Sequence, residues 1–240
     1  VPDVAVGEPG TDVLSAESGS IMLAFLATDG TVSATVLLNE TSSIPLQAIR
    51  VFSSQHWASA LASAGDCNDD GYADLLVGVP DLNAEGGFDL LLLGPHGSVR
   101  SARHFSRNLT GDAPAALFES GGALGSSLAP LGDVNDDGFL EIAIGQPAPG
   151  STLEQTHVLG TYIPAPRSKC MGPLLFSQVP CSALDMALRT TSHSVTPGSN
   201  FHARAASAHL GHAVAMLGDV DGDGLVDSVL GAPLFSSAGV

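Results

Sequence analysis

Apolar residues along this chain come in short, strand-sized runs broken by Gly, Asp, Pro and Ser, and no long stretch repeats every 3.6 residues. Gly19 to Leu26 and Gly87 to Leu93 are typical. Each is followed by a glycine turn, Asp29-Gly30-Thr31 or His96-Gly97-Ser98, and then by another alternating run. This pattern predicts an all-β fold of short strands. No apolar run reaches the roughly 18 residues that a membrane-spanning helix needs. The start, Val-Pro-Asp-Val-Ala-Val-Gly, has no basic stretch leading into an apolar one, so a signal peptide is expected to be absent or already removed.

The runs are organised by a repeat. Ala64 to Pro80 reads AGDCNDDGYADLLVGVP, Leu131 to Pro147 reads LGDVNDDGFLEIAIGQP, and Leu217 to Pro233 reads LGDVDGDGLVDSVLGAP. Pro2 to Pro9, PDVAVGEP, matches the second half of the same unit. The equivalent acids Asp3, Asp74, Glu141 and Asp227 are 71, 67 and 86 residues apart. Upstream of the loops, Leu124-Gly125 and Leu210-Gly211 lie in register, and His56-Trp57-Ala58 takes the same place without the glycine. Each unit reads strand, acidic loop, strand, strand, turn, strand. Four strands per unit with a period near 70 fit the blades of a β-propeller. The expected division is a partial blade at 1–45, a blade at 46–115, a blade at 116–205 with an insertion at 152–201, and a partial blade at 206–240. About three and a half units are fewer than a propeller needs to close, so the chain is expected to be a piece of a longer one.

The acidic loops carry the chemistry. Counted from Asp66, the oxygen-bearing residues Asp66, Asn68, Asp70 and Asp74 occupy positions 1, 3, 5 and 9, with Gly71 at 6 and the Tyr72 carbonyl at 7. The second loop offers Asp133, Asn135, Asp137, the Phe139 carbonyl and Glu141; the third offers Asp219, Asp221, Asp223, the Leu225 carbonyl and Asp227. Asp3 is the remnant of a fourth. Short carboxylates and amides at alternating positions converge when the backbone curls around a glycine, which suits a hard cation with 6 to 8 oxygen ligands. Magnesium prefers a tighter, wetter octahedron, so three calcium ions are expected, one per complete loop. An EF-hand would place a carboxylate at position 12; here Val77, Ile144 and Leu230 stand there.

Charge strengthens that reading. There are 25 acidic residues against 8 Lys plus Arg, a formal charge of −17, and Asp3 with four acids in each of the three loops supplies thirteen of the 25. Such a balance excludes nucleic acid as a partner. Cys170 and Cys181 are close enough in sequence to form a disulfide, which leaves Cys67 over. Asn39-Glu40-Thr41 and Asn108-Leu109-Thr110 are glycosylation sequons. Together with the cysteine pair and the loops, these favour a secreted or cell-surface location.

The order Leu-Gly-x-x-Leu-Ala-x-Leu-Gly-Asp-x-Asn-x-Asp-Gly-x-x-Glu-Ile-x-Ile-Gly-x-Pro resembles the FG-GAP repeat of integrin α-chains and related surface proteins. Gly231-Ala232-Pro233 is the literal GAP, while Leu124 and Leu210 replace the phenylalanine of FG. The resemblance implies a seven-bladed extracellular propeller, with calcium loops on one face and partner-binding loops elsewhere. The expected function is a non-enzymatic adhesion or assembly module that binds a protein partner. The alternatives are a lectin-like glycan binder and an accessory domain of a secreted hydrolase or lyase. Other constellations carry less. His193, His202, His209 and His212 lack the spacing of a zinc site, no G-x-S-x-G elbow occurs, and nothing marks Glu119 and Glu154 as a glycosidase pair. Trp57 is expected in the core, with an exposed sugar-stacking role as the alternative.

Overall fold

The computed structural model describes residues 2–12, 16–42, 55–68, 70–81, 86–106, 123–132, 141–147, 157–162, 189–194, 211–222, 224 and 227–234. Apart from a 3-10 turn at Pro95–Gly97, their regular structure is β. The strands are β1 (Val4–Glu8), β2 (Ser20–Leu26), β3 (Val32–Leu38), β4 (Leu61–Gly65), β5 (Asp74–Gly78), β6 (Phe88–Leu93), β7 (Val99–Phe105), β8 (Ser127–Gly132), β9 (Glu141–Gly145), β10 (His157–Tyr162), β11 (Arg189–Ser194), β12 (Ala213–Gly218) and β13 (Asp227–Gly231). They form antiparallel meanders in chain order: β1-β2-β3, β4-β5-β6-β7, β8-β9, β10-β11 and β12-β13. β10 lies beside β9, while β8-β9 and β10-β11 pair as separate two-stranded sheets. The interval 152–201 contains β10 and β11.

The sheet β4–β7 shows why its inner strands β5 and β6 are nearly continuous in apolar residues. Alternate side chains point to opposite faces, and both faces are covered. Leu76, Phe88, Leu90, Leu92 and Phe105 join Leu124, Leu128, Ile142 and Ile144 in one core. Leu75, Val77, Leu91 and Leu93 join Ile21, Leu23, Leu38 and Trp57 in the other. The Phe88 and Phe105 rings stack at 4.7 Å. Each fully buried leucine is worth about 1.5–3 kcal/mol, so the two cores clamp this sheet between its neighbours.

The repeated Gly-x-Pro has a packing reason. A Cβ on Gly7, Gly78 or Gly145 would collide with the backbone oxygen of Ala58, Gly125 or Gly211, the turn that opens the next unit. The sheets approach there as closely as bare backbone allows. The receiving turn is left-handed at all three positions: φ is 71° at Ala58, 90° at Gly125 and 86° at Gly211. Only Ala58 carries a side chain in that region, which costs an L-residue about 1–2 kcal/mol. Ala58→Gly is therefore expected to stabilise the chain by roughly 0.5–1 kcal/mol, after allowance for glycine's freer unfolded state. A rise in the urea midpoint with an unchanged slope would show it; an unchanged or lower midpoint would refute it.

Candidate metal centres

Each acidic loop hangs between two paired strands in one register. Gly65 pairs with Asp74, Gly132 with Glu141 and Gly218 with Asp227, each just past a shift in the ladder. The glycine before the first and last loops is left-handed, with φ 66° at Gly65 and 77° at Gly218. Such a bulge turns the chain out of the sheet, so the loop doubles back on its own side chains. Position 12 falls inside β5, β9 and β13, as a strand–loop–strand unit requires.

Within the first loop the side chains fold inward onto the backbone. Asp66 accepts from the N–H groups of Asp70 at 2.9 Å and Gly71 at 2.8 Å. Asn68 Oδ1 accepts from Asp70 N at 3.0 Å, and its Nδ2 donates to Asp70 Oδ2 at 3.1 Å. Asp70 Oδ1 accepts from Tyr72 N at 3.1 Å. Asp74 is buried and accepts from Cys67 N and Leu93 N, both at 2.9 Å, which ties the loop to the third strand of its sheet. Burial pushes the Asp74 carboxyl up to about 6; the two N–H donors pull it down, and Asp70 and Asp66 add to the rise. Cys67 donates to Ala64 O at 3.1 Å, and burial together with Asp74 and Asp66 pushes its thiol up to about 12, so it stays an inert core thiol.

The last loop repeats this wiring. Asp227 accepts from Val220 N at 2.8 Å as Asp74 does from Cys67, and Asp219 accepts from Gly224 N at 2.9 Å as Asp66 does from Gly71. Gly222 N also donates to Asp219, at 2.7 Å. Carboxylate oxygens of Asp219, Asp221 and Asp227 all lie within 4.8 Å of one another. Among the described residues no other trio of acidic, histidine or cysteine side chains converges so closely. Asp3 keeps one link of the pattern: it accepts from Leu26 N at 2.9 Å, as Asp74 does from Leu93.

Several predicted positions lie outside the described residues: Asp133, Asn135, Asp137 and Phe139, the Glu141 side chain, Asp223 and Leu225, the sequon residue Asn108, Cys170 and Cys181. His202, His209, Glu119 and Glu154 lie outside them as well. The other sequon residue, Asn39, is buried after β3, where its Oδ1 accepts from Thr41 N at 2.9 Å, Thr41 Oγ1 at 2.7 Å and Ser42 Oγ at 3.0 Å. His212 is exposed in the turn before β12. Trp57 is a core residue at 1% exposure, so it is no platform for a sugar.

Integrin α-5 of Xenopus laevis is 34% identical over 164 residues, 61% of this chain and 14% of that protein. Integrin α-4 of Xenopus laevis is 30% identical over 183 residues, 75% of this chain and 14% of that protein. Integrin α-3 of Cricetulus griseus is 37% identical over 100 residues, 40% of this chain and 9% of that protein. The chain is related to the integrin α-chains through FG-GAP repeats. Its fold is accordingly an all-β propeller of antiparallel sheets. No protein-family model matches the chain. The chain spans no more than 14% of the length of these three integrins. In FG-GAP terms, the "FG" turn is the left-handed turn at Ala58, Gly125 and Gly211, and the glycine that it meets, Gly7, Gly78 or Gly145, stands in the place of the "GAP" glycine of the preceding unit. The first complete repeat writes FG as Trp57-Ala58, and its missing glycine left a left-handed alanine in the structure.

Two features escaped sequence reasoning. Trp57 Nε1 donates to Asp89 Oδ2 at 2.7 Å, and the same buried carboxylate faces His104 Nδ1. Arg100, from β7, pairs with Asp70 at 2.9 Å. Each joins residues 30 or more positions apart or draws a charge into a strand that reads as apolar, and nothing local in the sequence marks either.

Proposed function

We propose that the chain is an extracellular, calcium-stiffened FG-GAP propeller segment that acts without catalysis, as an adhesion or assembly module presenting its connecting loops to a protein partner. The convergence of Asp219, Asp221 and Asp227 carries the calcium part of this reading. Three carboxylates at that separation repel one another unless a cation lies among them, and an all-oxygen donor set on a flexible loop suits calcium. Asp219, Asp221 and Asp227 would hold the ion with Asp223 and the Leu225 carbonyl. Asp66, Asn68, Asp70, Asp74 and the Tyr72 carbonyl would form the first site, and Asp133, Asn135, Asp137, Glu141 and the Phe139 carbonyl the middle one. Bound there, calcium would stiffen the bulged connection between the first two strands of each blade. The relationship to integrin α-chains supports the adhesion part and the extracellular setting. Among the described residues no helix is long and apolar enough to cross a membrane.

At tenfold saturation each site contributes about 1.4 kcal/mol. Three such sites amount to roughly 4 kcal/mol, which for a chain of this size corresponds to about 10 °C in Tm. A thermal melt in 2 mM calcium against excess chelator is expected to show a fall of that order, restored by calcium better than by magnesium. Asp219→Asn should shrink the calcium-dependent part. An unchanged melt, with no metal found by elemental analysis, would sink the reading.

A further inference from the structure

In the loop at 66–74, Arg100 Nη1 lies 2.9 Å from Asp70 Oδ2, and the Asp70 side chain is only 10% exposed. We infer that Arg100 is a built-in counter-cation for this loop, competing with the bound metal for Asp70 and weakening this site. The inference rests on the calcium reading above.

The seat of this arginine is constructed on three sides. Its guanidinium carbon stands 5.6 Å from the centre of the Tyr72 ring, within the loop itself, a distance at which a cation is attracted to the ring face. Its arm crosses Gly94, where a Cβ would strike Nε, Cδ and Cζ of Arg100. Its end reaches Asp70. The equivalent hairpin of the first sheet shows that this is no general property of the repeat. Leu26 N bonds Asp3 as Leu93 N bonds Asp74, and the following turns close alike, Ala27 N to Thr31 O and Gly94 N to Ser98 O. In that register Gly94 corresponds to Ala27 and Arg100 to Ser33, whose hydroxyl donates to Phe25 O in its own sheet. The glycine that clears the groove and the arginine that fills it therefore occur together in this sheet.

A cation tethered by the fold shields the loop's carboxylates when no metal is bound, and it must be displaced from Asp70 when one arrives. If the arm is engaged in about nine molecules of ten, the apparent Kd of the first site is raised roughly tenfold. Tyr72 makes the site separately readable. Terbium stands in for calcium and is sensitised by a tyrosine beside it, so luminescence excited through tyrosine and lost in Tyr72→Phe reports this loop. We expect Arg100→Gln to tighten terbium, and calcium in competition, by roughly tenfold at the Tyr72-reported site. Arg100→Lys should stay near the parent. In chelator, Arg100→Gln should melt below the parent and regain more on adding calcium. Equal affinities in the parent and Arg100→Gln, with calcium bound by both, would overturn the role of Arg100 and leave the calcium reading standing. No sensitised signal and no calcium-dependent melt in either protein would overturn both.

Discussion

Gly78→Ala is expected to lower the stability of the chain by about 3 kcal/mol, near the upper end of what an inserted methyl group costs in a packed interior. Gly78 needs no special backbone angle, since it is absent from the left-handed positions. What it needs is room, because its missing Cβ would fall on the backbone oxygen of Gly125 and then against Ala60 Cβ. The oxygen belongs to a turn held by its neighbours: Gly125 N donates to Gly145 O at 3.1 Å and Gly87 N to Leu124 O at 2.9 Å. A shift there disturbs two sheets at once. Gly30→Ala is the matched control. Gly30 is left-handed at φ 84° with open space around its Cβ position, so it pays only for the angle, about 1 kcal/mol. Urea denaturation of both variants measures the difference. Equal losses would mean that the sheets can part at no cost, and the close approach would then explain nothing about the repeated Gly-x-Pro.

Asp89→Leu is expected to cost about 3–5 kcal/mol, as the loss of one partner from a buried charged network does. Asp89 is 1% exposed, and its two oxygens serve Trp57 from the start of the unit and His104 from the outer strand β7. Removing the carboxylate strands the indole N–H in an apolar core, a loss of about 1–3 kcal/mol by itself, and leaves His104 without its acceptor. Trp57→Phe removes one donor and should cost less. Trp57 is the sole tryptophan, so its fluorescence reports the site directly. Burial raises the Asp89 carboxyl, while His104 and Trp57 pull it back down. With the folded value above the unfolded one, the native state binds the proton more tightly. The stability from this group is full below the unfolded value near 3.9 and is lost as pH rises through the folded value. The advantage of the parent over Asp89→Asn should therefore shrink as pH rises. A constant gap would show that the carboxyl does not change its proton on folding.

Much of the fold and of the metal centres was legible because both are written in local order. Alternation marks the strands, Asp-Gly and Gly-x-Pro mark the ends, and the acids at positions 1, 3, 5 and 9 sit on one curled loop whose ligands are neighbours in sequence. Asp66 and Asp219 bonding the same N–H of their loops needed no information from elsewhere in the chain. The third unit was harder, since β10 and β11 lie in a stretch whose composition reads as an insertion.

The sequence by itself determined the repeat, the order of strands within a unit and the register of acids along each loop. Only the tertiary structure decided how units meet. It placed Trp57 over Asp89, set the carbonyl of Gly125 against Gly78, held Ala58 in a left-handed turn and brought Arg100 across Gly94 to Asp70. The physical reason is that strand pattern and loop ligation depend on residues a few positions apart. Packing between sheets depends on which faces come together, and that choice is made by the summed burial of both cores rather than by any one segment.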